Sequence, residues 1–151
     1  MTRPGTCHAV GGIVSSLAGT WRLQRVIDNG ASMTGTASFT DLGDGRFDYR
    51  ERGQLRLADG QVIDAERRYV FEEHADGFSV WFAETPPRLF HRVALSRIGP
   101  SLAGEAAHFC GDDRYDTRYE FRADGSFLIA HSVAGPRKSY AMETSYVRAL
   151  M

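Results

Sequence analysis

The sequence predicts an all-β protein, a single antiparallel up-and-down β-barrel of about nine or ten strands with a short N-terminal helical plug. Two observations carry this prediction. First, turn signals recur along the chain: Asp28-Asn29-Gly30, Asp44-Gly45, Asp59-Gly60, Asp76-Gly77 and Asp124-Gly125 each separate two β-prone runs. Glycine supplies the positive φ of tight hairpin turns, so Asp-Gly and Asn-Gly are strong hairpin signals. Second, apolar and polar residues alternate with period two between the turns, and no long stretch keeps helical periodicity. A meander of this length either curls into a barrel or exposes two sheet edges, and closure removes the edges.

Residues 1–12, with Pro4, Gly5, Gly11 and Gly12, read as a flexible arm, and Ile13 to Ala18 as one turn of helix plugging a barrel end. The domain division is an arm over 1–16 and a barrel over 17–151. Strands are expected near 20–28, 34–41, 45–52, 54–58, 61–73, 77–84, 88–97, 103–111, 114–123, 125–134 and 138–148, with the second and third runs able to form one bent strand.

Alternation then assigns faces. Trp21 and Leu23 share one parity; so do Phe78, Val80 and Phe82. Leu89, His91, Val93 and Leu95 oppose Arg88, Phe90 and Arg92. Ala106, His108 and Cys110 oppose Phe109, and Tyr115, Thr117, Tyr119 and Phe121 oppose Arg118. Phe127, Ile129, His131 and Val133 align, as do Tyr140, Met142, Thr144, Tyr146 and Arg148. The inward face is therefore apolar with polar tips. A barrel of about eight or more strands is wide enough for a cavity, and ligand pockets combine apolar walls with a few convergent polar groups.

The chain opens its first strand on Gly19-Thr20-Trp21 and carries Arg148 in its last. This pair resembles the calycin superfamily, in which Gly-x-Trp opens the first strand and an arginine of the last strand packs over the indole. The resemblance implies that Gly19, Trp21 and Arg148 close the barrel; a guanidinium on a Trp face is worth roughly 0.5–2 kcal/mol. Further segments are Leu17-Ala-Gly-Thr-Trp21, Pro86-Pro-Arg-Leu-Phe-His91, His108-Phe-Cys-Gly-Asp-Asp113 with Tyr115, and Gly135-Pro-Arg-Lys138 with Tyr140. They resemble a bacterial domain-of-unknown-function family with a calycin-like (lipocalin-like) barrel, from about residue 17 to the end. That resemblance implies the fold and brings no activity.

Composition narrows the partners. A net charge of −1 favours neither nucleic acid nor an anionic membrane. No apolar run approaches the ~20 residues of a membrane-spanning helix, and the first residues lack the pattern of a signal peptide. Cys7 and Cys110 are poor evidence for a disulfide framework. The expectation is a cytoplasmic protein with a small-molecule ligand; homodimerisation stays open.

The candidate ligand-binding residues are His91, His108, Asp112, Tyr115, Tyr119, His131, Arg137, Lys138 and Tyr140. A histidine near neutral pKa can act as acid or base or bind a metal. The three here come from three strands, and the plain alternative for each is a hydrogen-bonded core histidine. His108 and Cys110 share a strand face, but residues two apart on a strand rarely meet at transfer distance, so Cys110 is expected as a buried structural thiol. No zinc site is expected, because one cysteine with scattered histidines does not supply three or four convergent ligands.

Gly135-Pro136-Arg137-Lys138 holds the chain's one lysine beside an arginine, either an anion clamp at the barrel mouth or a solvated turn paired with Asp112 or Asp113. Arg50-Glu51-Arg52 and Glu66-Arg67-Arg68 read as cross-strand ion pairs on the solvated face. Glu51 is the exception, sharing inward parity with Phe47 and Tyr49. Three functions follow: a binder of a small amphipathic or acidic molecule; a small-molecule enzyme with His91 or His108 as general acid/base; or a haem-binding barrel with His131 as ligand.

Overall fold

The computed structural model describes residues 10–149. One helix, α1 (Ile13–Ser16), precedes eleven strands: β1 (Gly19–Ile27), β2 (Ser32–Gly43), β3 (Arg46–Arg56), β4 (Val62–His74), β5 (Gly77–Phe82), β6 (Arg88–Ala94), β7 (Ser96–Ile98), β8 (Ser101–Cys110), β9 (Asp113–Phe121), β10 (Phe127–Ala134) and β11 (Ser139–Arg148). The strand order is β6-β5-β4-β3-β2-β1-β11-β10-β9-β8-β7. Each pairing is antiparallel, and the first strand closes on the last with Trp21 opposite Arg148. This is the expected all-β antiparallel barrel, nearly closed, with slightly more strands than expected.

Two details of the chain account for the count. The runs at 45–52 and 54–58 merge into β3, whose ladder passes through Gly53 opposite Gly35. The run at 88–97 divides at Leu95: residues before it pair with β5, and residues after it pair with β8. The segment 88–98 thus bends from one edge of the sheet to the other and joins them. Gly104 of β8 allows the crossing, since a Cβ there would lie 2.5 Å from the Ala94 carbonyl oxygen and 2.6 Å from Val93 Cγ1. Beyond this crossing β6 and β8 share no ladder among the described residues, which leaves a seam running toward Arg88 and Cys110.

The barrel is built differently at its two ends. At one end Ile13, Val14 and Leu17 of the helical segment pack into an aromatic core with Trp21, Phe39, Phe71, Phe78, Phe121 and Phe127. Residues 13–16, grouped with the arm in the sequence division, therefore belong to the barrel; residues 1–9 lie outside the described residues. Closure ties the plug down. The Arg148 guanidinium sits 4.1 Å from the Trp21 ring, donating to the Ala18 and Ser16 carbonyls at 2.7 and 3.0 Å, while Trp21 Nε1 donates to Leu17 at 2.8 Å. Three carbonyls at the helix C-terminus, without partners inside so short a helix, are thus satisfied by the two closure side chains. Gly19 is small for the same reason: a Cβ there would press within 3.1 Å of Arg148 Nη1.

Inward and outward faces follow the expected alternation on most strands. His91 and Tyr119 are buried and His108 half-buried, while Arg92, Phe109 and Arg118 are exposed. On β6, Leu89 and Phe90 reverse the expectation. Val80 pairs with His91 but Trp81 pairs with Leu89, so Phe90 is the extra residue of a β-bulge. The bulge turns Phe90 and His91 both inward and leaves Leu89 exposed. Cys110 also departs from expectation: at the last position of β8 it has left the covered part of the barrel and is exposed.

Candidate functional site

The connections 28–31, 57–61, 83–87, 111–112 and 135–138 gather at the end opposite the plug, which is the mouth of the barrel. Here side chains from β4, β5, β6, β8, β9, β10 and β11 surround a cavity of about 320 Å³. Its walls are mainly rings: Tyr69, Phe82, Phe90, His108, Tyr115 and Tyr140. Tyr69 and Phe90 stack at 5.9 Å, and the His108 ring meets Phe90 edge-on at 5.4 Å across the β6–β8 seam. Arg67, His131 and Cys110 add polar atoms to the wall. Two smaller voids adjoin it through shared residues: about 100 Å³ beside Ile27, Met33, Leu55 and Ala65, and about 20 Å³ beside Tyr49 and Tyr119.

A larger depression, about 770 Å³, lies on the outer face of β8–β11. Ala107, Asp116, Ser132 and Ala141, cross-strand neighbours of outward parity, run along it. It is an open saddle flanked by charges, whereas the mouth cavity has walls on several sides, and ligands favour the latter.

The floor of the cavity is ionic. Arg25 of β1, only 5% exposed, makes a two-pronged salt bridge to Glu51 of β3, 2% exposed, at 2.7 and 2.9 Å. Arg25 Nε also donates to Thr144 at 2.7 Å. Tyr49 donates to Glu51 at 2.6 Å, and its hydroxyl lies 2.8 Å from that of Tyr146. Hydrogen bonds and charge from Arg25 outweigh desolvation and hold the Glu51 carboxyl below its ordinary range, so it stays ionised. Burial, with Glu51 nearby, raises the phenols of Tyr49 and Tyr146.

Arg67 of β4 is half-buried beside this pair and lines all three voids. Among the described residues no carboxylate lies within 4 Å of its guanidinium. Glu66, the neighbouring acid, is turned outward to Arg50 and Arg52.

The histidines divide by environment. His91 hydrogen-bonds Tyr119 at 2.7 Å, while its Nδ1 is buried without a partner. Burial, then the charge of His108, push His91 down to about 4. It lines none of the three voids, and Tyr119 lines only the smallest. His131 Nδ1 lies 3.0 Å from the Thr117 hydroxyl, and burial followed by the Arg67 and Arg25 charges pushes this histidine down to about 3. His108 lines the cavity among Phe82, Phe90 and Tyr115.

Of the residues proposed from sequence, His108, Tyr115, His131 and Tyr140 come together in the cavity wall. Asp112 and Arg137 are exposed and lie outside it. Lys138 sits at the rim, donating to the Tyr115 hydroxyl at 2.9 Å with Asp113 at 3.6 Å. The connections 111–112 and 135–138 thus share one barrel end, where Lys138 forms an ion pair with Asp113 at the start of β9. Sequence reasoning missed Arg25 and Arg67. Arg25 has the parity of Trp21 and Leu23, and Arg67 that of Tyr69 and Phe71, so period two alone could have turned both inward. Arg50–Glu66 and Arg68–Asp48 are the expected outer cross-strand pairs.

The fold and site define a class: an antiparallel β-barrel, plugged at one end, with a ring-lined cavity at the other. Within that class the chain belongs to DUF6314, a family of unknown function whose profile matches residues 17–148. No curated protein matches the sequence. Among solved structures it is similar in fold to a de novo designed fluorescence-activating β-barrel, at 15% identity and TM-score 0.48, covering 90% of this chain and 96% of that one. It is also similar to the S-type phycobiliprotein lyase CPES of Guillardia theta, at 12% identity and TM-score 0.44, covering 97% and 96%. A mutant of the fluorescent protein UnaG matches at 15% identity and TM-score 0.42, covering 91% and 99%.

Proposed function

We propose that this chain is a cytoplasmic binding protein for a small amphipathic, acidic molecule held inside the barrel. The observation that carries the reading is the mouth cavity. Its volume of about 320 Å³ is at the lower end of the range for small-molecule sites, and its walls are rings with few polar tips. The apolar body of the ligand lies against these walls, and its acidic end meets a cation.

The alternative of acid–base catalysis has less support. His91 is sealed away from the cavity with Tyr119, and His108 faces rings rather than an orienting carboxylate. A haem ligated by His131 would need room for a tetrapyrrole, for which a cavity of about 320 Å³ is tight.

Native mass spectrometry of the protein purified from its source cell tests the proposal. A co-purifying small acid, released on unfolding, is the expected result. A Soret band would replace the reading with haem binding. Failure to retain or bind any small acid in solution would overturn it.

A further inference from the structure

We propose that the ligand is a ring-bearing organic acid whose acid group is taken inside the barrel by Arg67, and not at the mouth by Arg137 and Lys138. This rests on the binding reading above and names the ligand class and the anchoring residue. Three observations converge on it.

The first is charge balance. The polar floor holds two guanidiniums, Arg25 and Arg67, with two carboxylates nearby, Glu51 and Glu66, and Glu66 is engaged by Arg50 and Arg52 on the outer face. Glu51 is committed to Arg25 by both oxygens and takes a further hydrogen bond from Tyr49. The other side chains facing Arg67 are Tyr69, His131 and Met142, none of which carries negative charge at neutral pH. Arg67 thus stands where the three voids meet, opposite Glu51 on the neighbouring strand but with no carboxylate of its own within 4 Å. Arg67 meets the Tyr69 hydroxyl and feels Glu51 at longer range, and a bound anion would supply a countercharge in direct contact.

The second is the state of the other cations. Arg88 also lines the cavity, but it pairs with Glu84 at 2.8 Å and lies 4.1 Å from the Phe82 ring. Lys138 is held by Tyr115 and Asp113, and neither it nor Arg137 lines the cavity. Arg67 alone among the described arginines and lysines both lines the cavity and lacks a carboxylate within 4 Å. Its planar fork suits a carboxylate or sulfonate.

The third is the wall. Seven ring side chains enclose a compact space, and flat faces pack flat ligands better than a flexible chain whose rotors must be frozen. The small void behind Arg67, beside Met33, Leu55 and Ala65, leaves room for a short substituent past the acid group.

The test is calorimetric titration of the full chain with naphthoate, its neutral isostere naphthamide, and decanoate. The variants are Arg67→Gln, Arg67→Lys and the pair Arg137→Gln with Lys138→Gln. Naphthoate is expected to bind the wild type more tightly than the other two probes. Arg67→Gln should weaken naphthoate about ten- to a hundredfold while leaving naphthamide unchanged, as loss of a charge-assisted contact predicts. Arg67→Lys should fall between, and the mouth pair should stay within about twofold of wild type.

Removing one of two neighbouring guanidiniums leaves the Arg25–Glu51 pair intact. The unliganded Arg67→Gln protein should therefore melt no lower than wild type, an outcome that a purely structural role would not give. Undiminished naphthoate binding in Arg67→Gln overturns the inference and leaves the binding reading standing, as does loss confined to the mouth pair. Decanoate binding more tightly than naphthoate overturns the ring-bearing class. Binding of none of the three probes, with no co-purifying acid, overturns both.

Discussion

Removing Glu51 should be among the most destabilising single changes available in this chain. Its carboxylate accepts two hydrogen bonds from Arg25 and one from Tyr49, and both members of the ion pair are at least 95% buried. In Glu51→Ala the Arg25 guanidinium keeps its hydrogen bonds to Thr144 and to the Met33 sulfur, and loses its counterion in a site from which water is largely excluded. Breaking a buried pair from one side typically costs about 3–5 kcal/mol, because the surviving charge is left unpaired. For a domain of this size each kcal/mol moves the melting midpoint by about 2–4 °C, so a fall on the order of 10 °C is expected. Urea unfolding followed by tryptophan fluorescence measures the difference directly. The double replacement Arg25→Met with Glu51→Leu should restore most of the loss, since it removes both desolvation penalties. A cost below about 1 kcal/mol for Glu51→Ala would mean that Arg25 is hydrated in solution, and the argument from a dry ionic floor would fail.

Two further outcomes follow from the ends of the barrel and from its buried histidines. Trp21→Ala should cost about 3–5 kcal/mol and Arg148→Ala about 1–3 kcal/mol, with a double-mutant cycle showing strong coupling; additive effects would refute their joint role in holding α1. His91 is held neutral down to about 4 in the fold but titrates at its ordinary 6.5 when unfolded, so the unfolded chain binds the extra proton between these values. Its contribution is complete above pH 6.5 and is lost as pH falls toward 4, by up to ~3 kcal/mol. Denaturant titrations of wild type and His91→Gln across that window should converge as pH drops, and parallel curves would show that the fold leaves the His91 pKa unshifted.

How much of this was legible in the sequence follows from which residues obey local rules. The Asp-Gly turns, the plug and the Trp21–Arg148 contact could be read because each depends on near neighbours or on a parity kept from end to end. The bulge at Phe90 could not. It depends on how β5 and β6 mismatch by one residue, and nothing in Arg88-Leu89-Phe90-His91 marks the extra position. Cys110 failed for a related reason: parity gives direction, but how far a strand continues under cover is set by its neighbours. Arg25 and Arg67 were legible in parity and overlooked because arginine in an amphipathic strand reads as solvated. Their burial becomes plausible only once Glu51 is known to lie between them, a tertiary fact joining β1, β3 and β4.

The placement of these charges separates the barrel's two tasks. Between the plug and the ionic floor the interior is aromatic: Trp21 meets Phe127 edge-on at 4.8 Å, and Phe127 stacks on Tyr146 at 4.2 Å. Burial of such rings supplies the main stabilising free energy and favours a dry, filled interior. Continued to the mouth, the same packing would have filled the cavity. Instead β1, β3 and β4 place Arg25, Glu51 and Arg67 on inward positions where Phe, Leu or Val would stabilise as well or better. A buried pair alone could be explained as a device of register. A pair with a further guanidinium facing an open void is harder to explain by stability, because Glu51 is already bridged to Arg25 by both oxygens and its attraction for Arg67 is set against the repulsion and desolvation that the second guanidinium adds. The arrangement makes physical sense if the missing negative charge arrives with a ligand. The apolar half then provides the rigidity that holds Arg67 in place, and the polar half gives up stability in the empty barrel for affinity in the filled one.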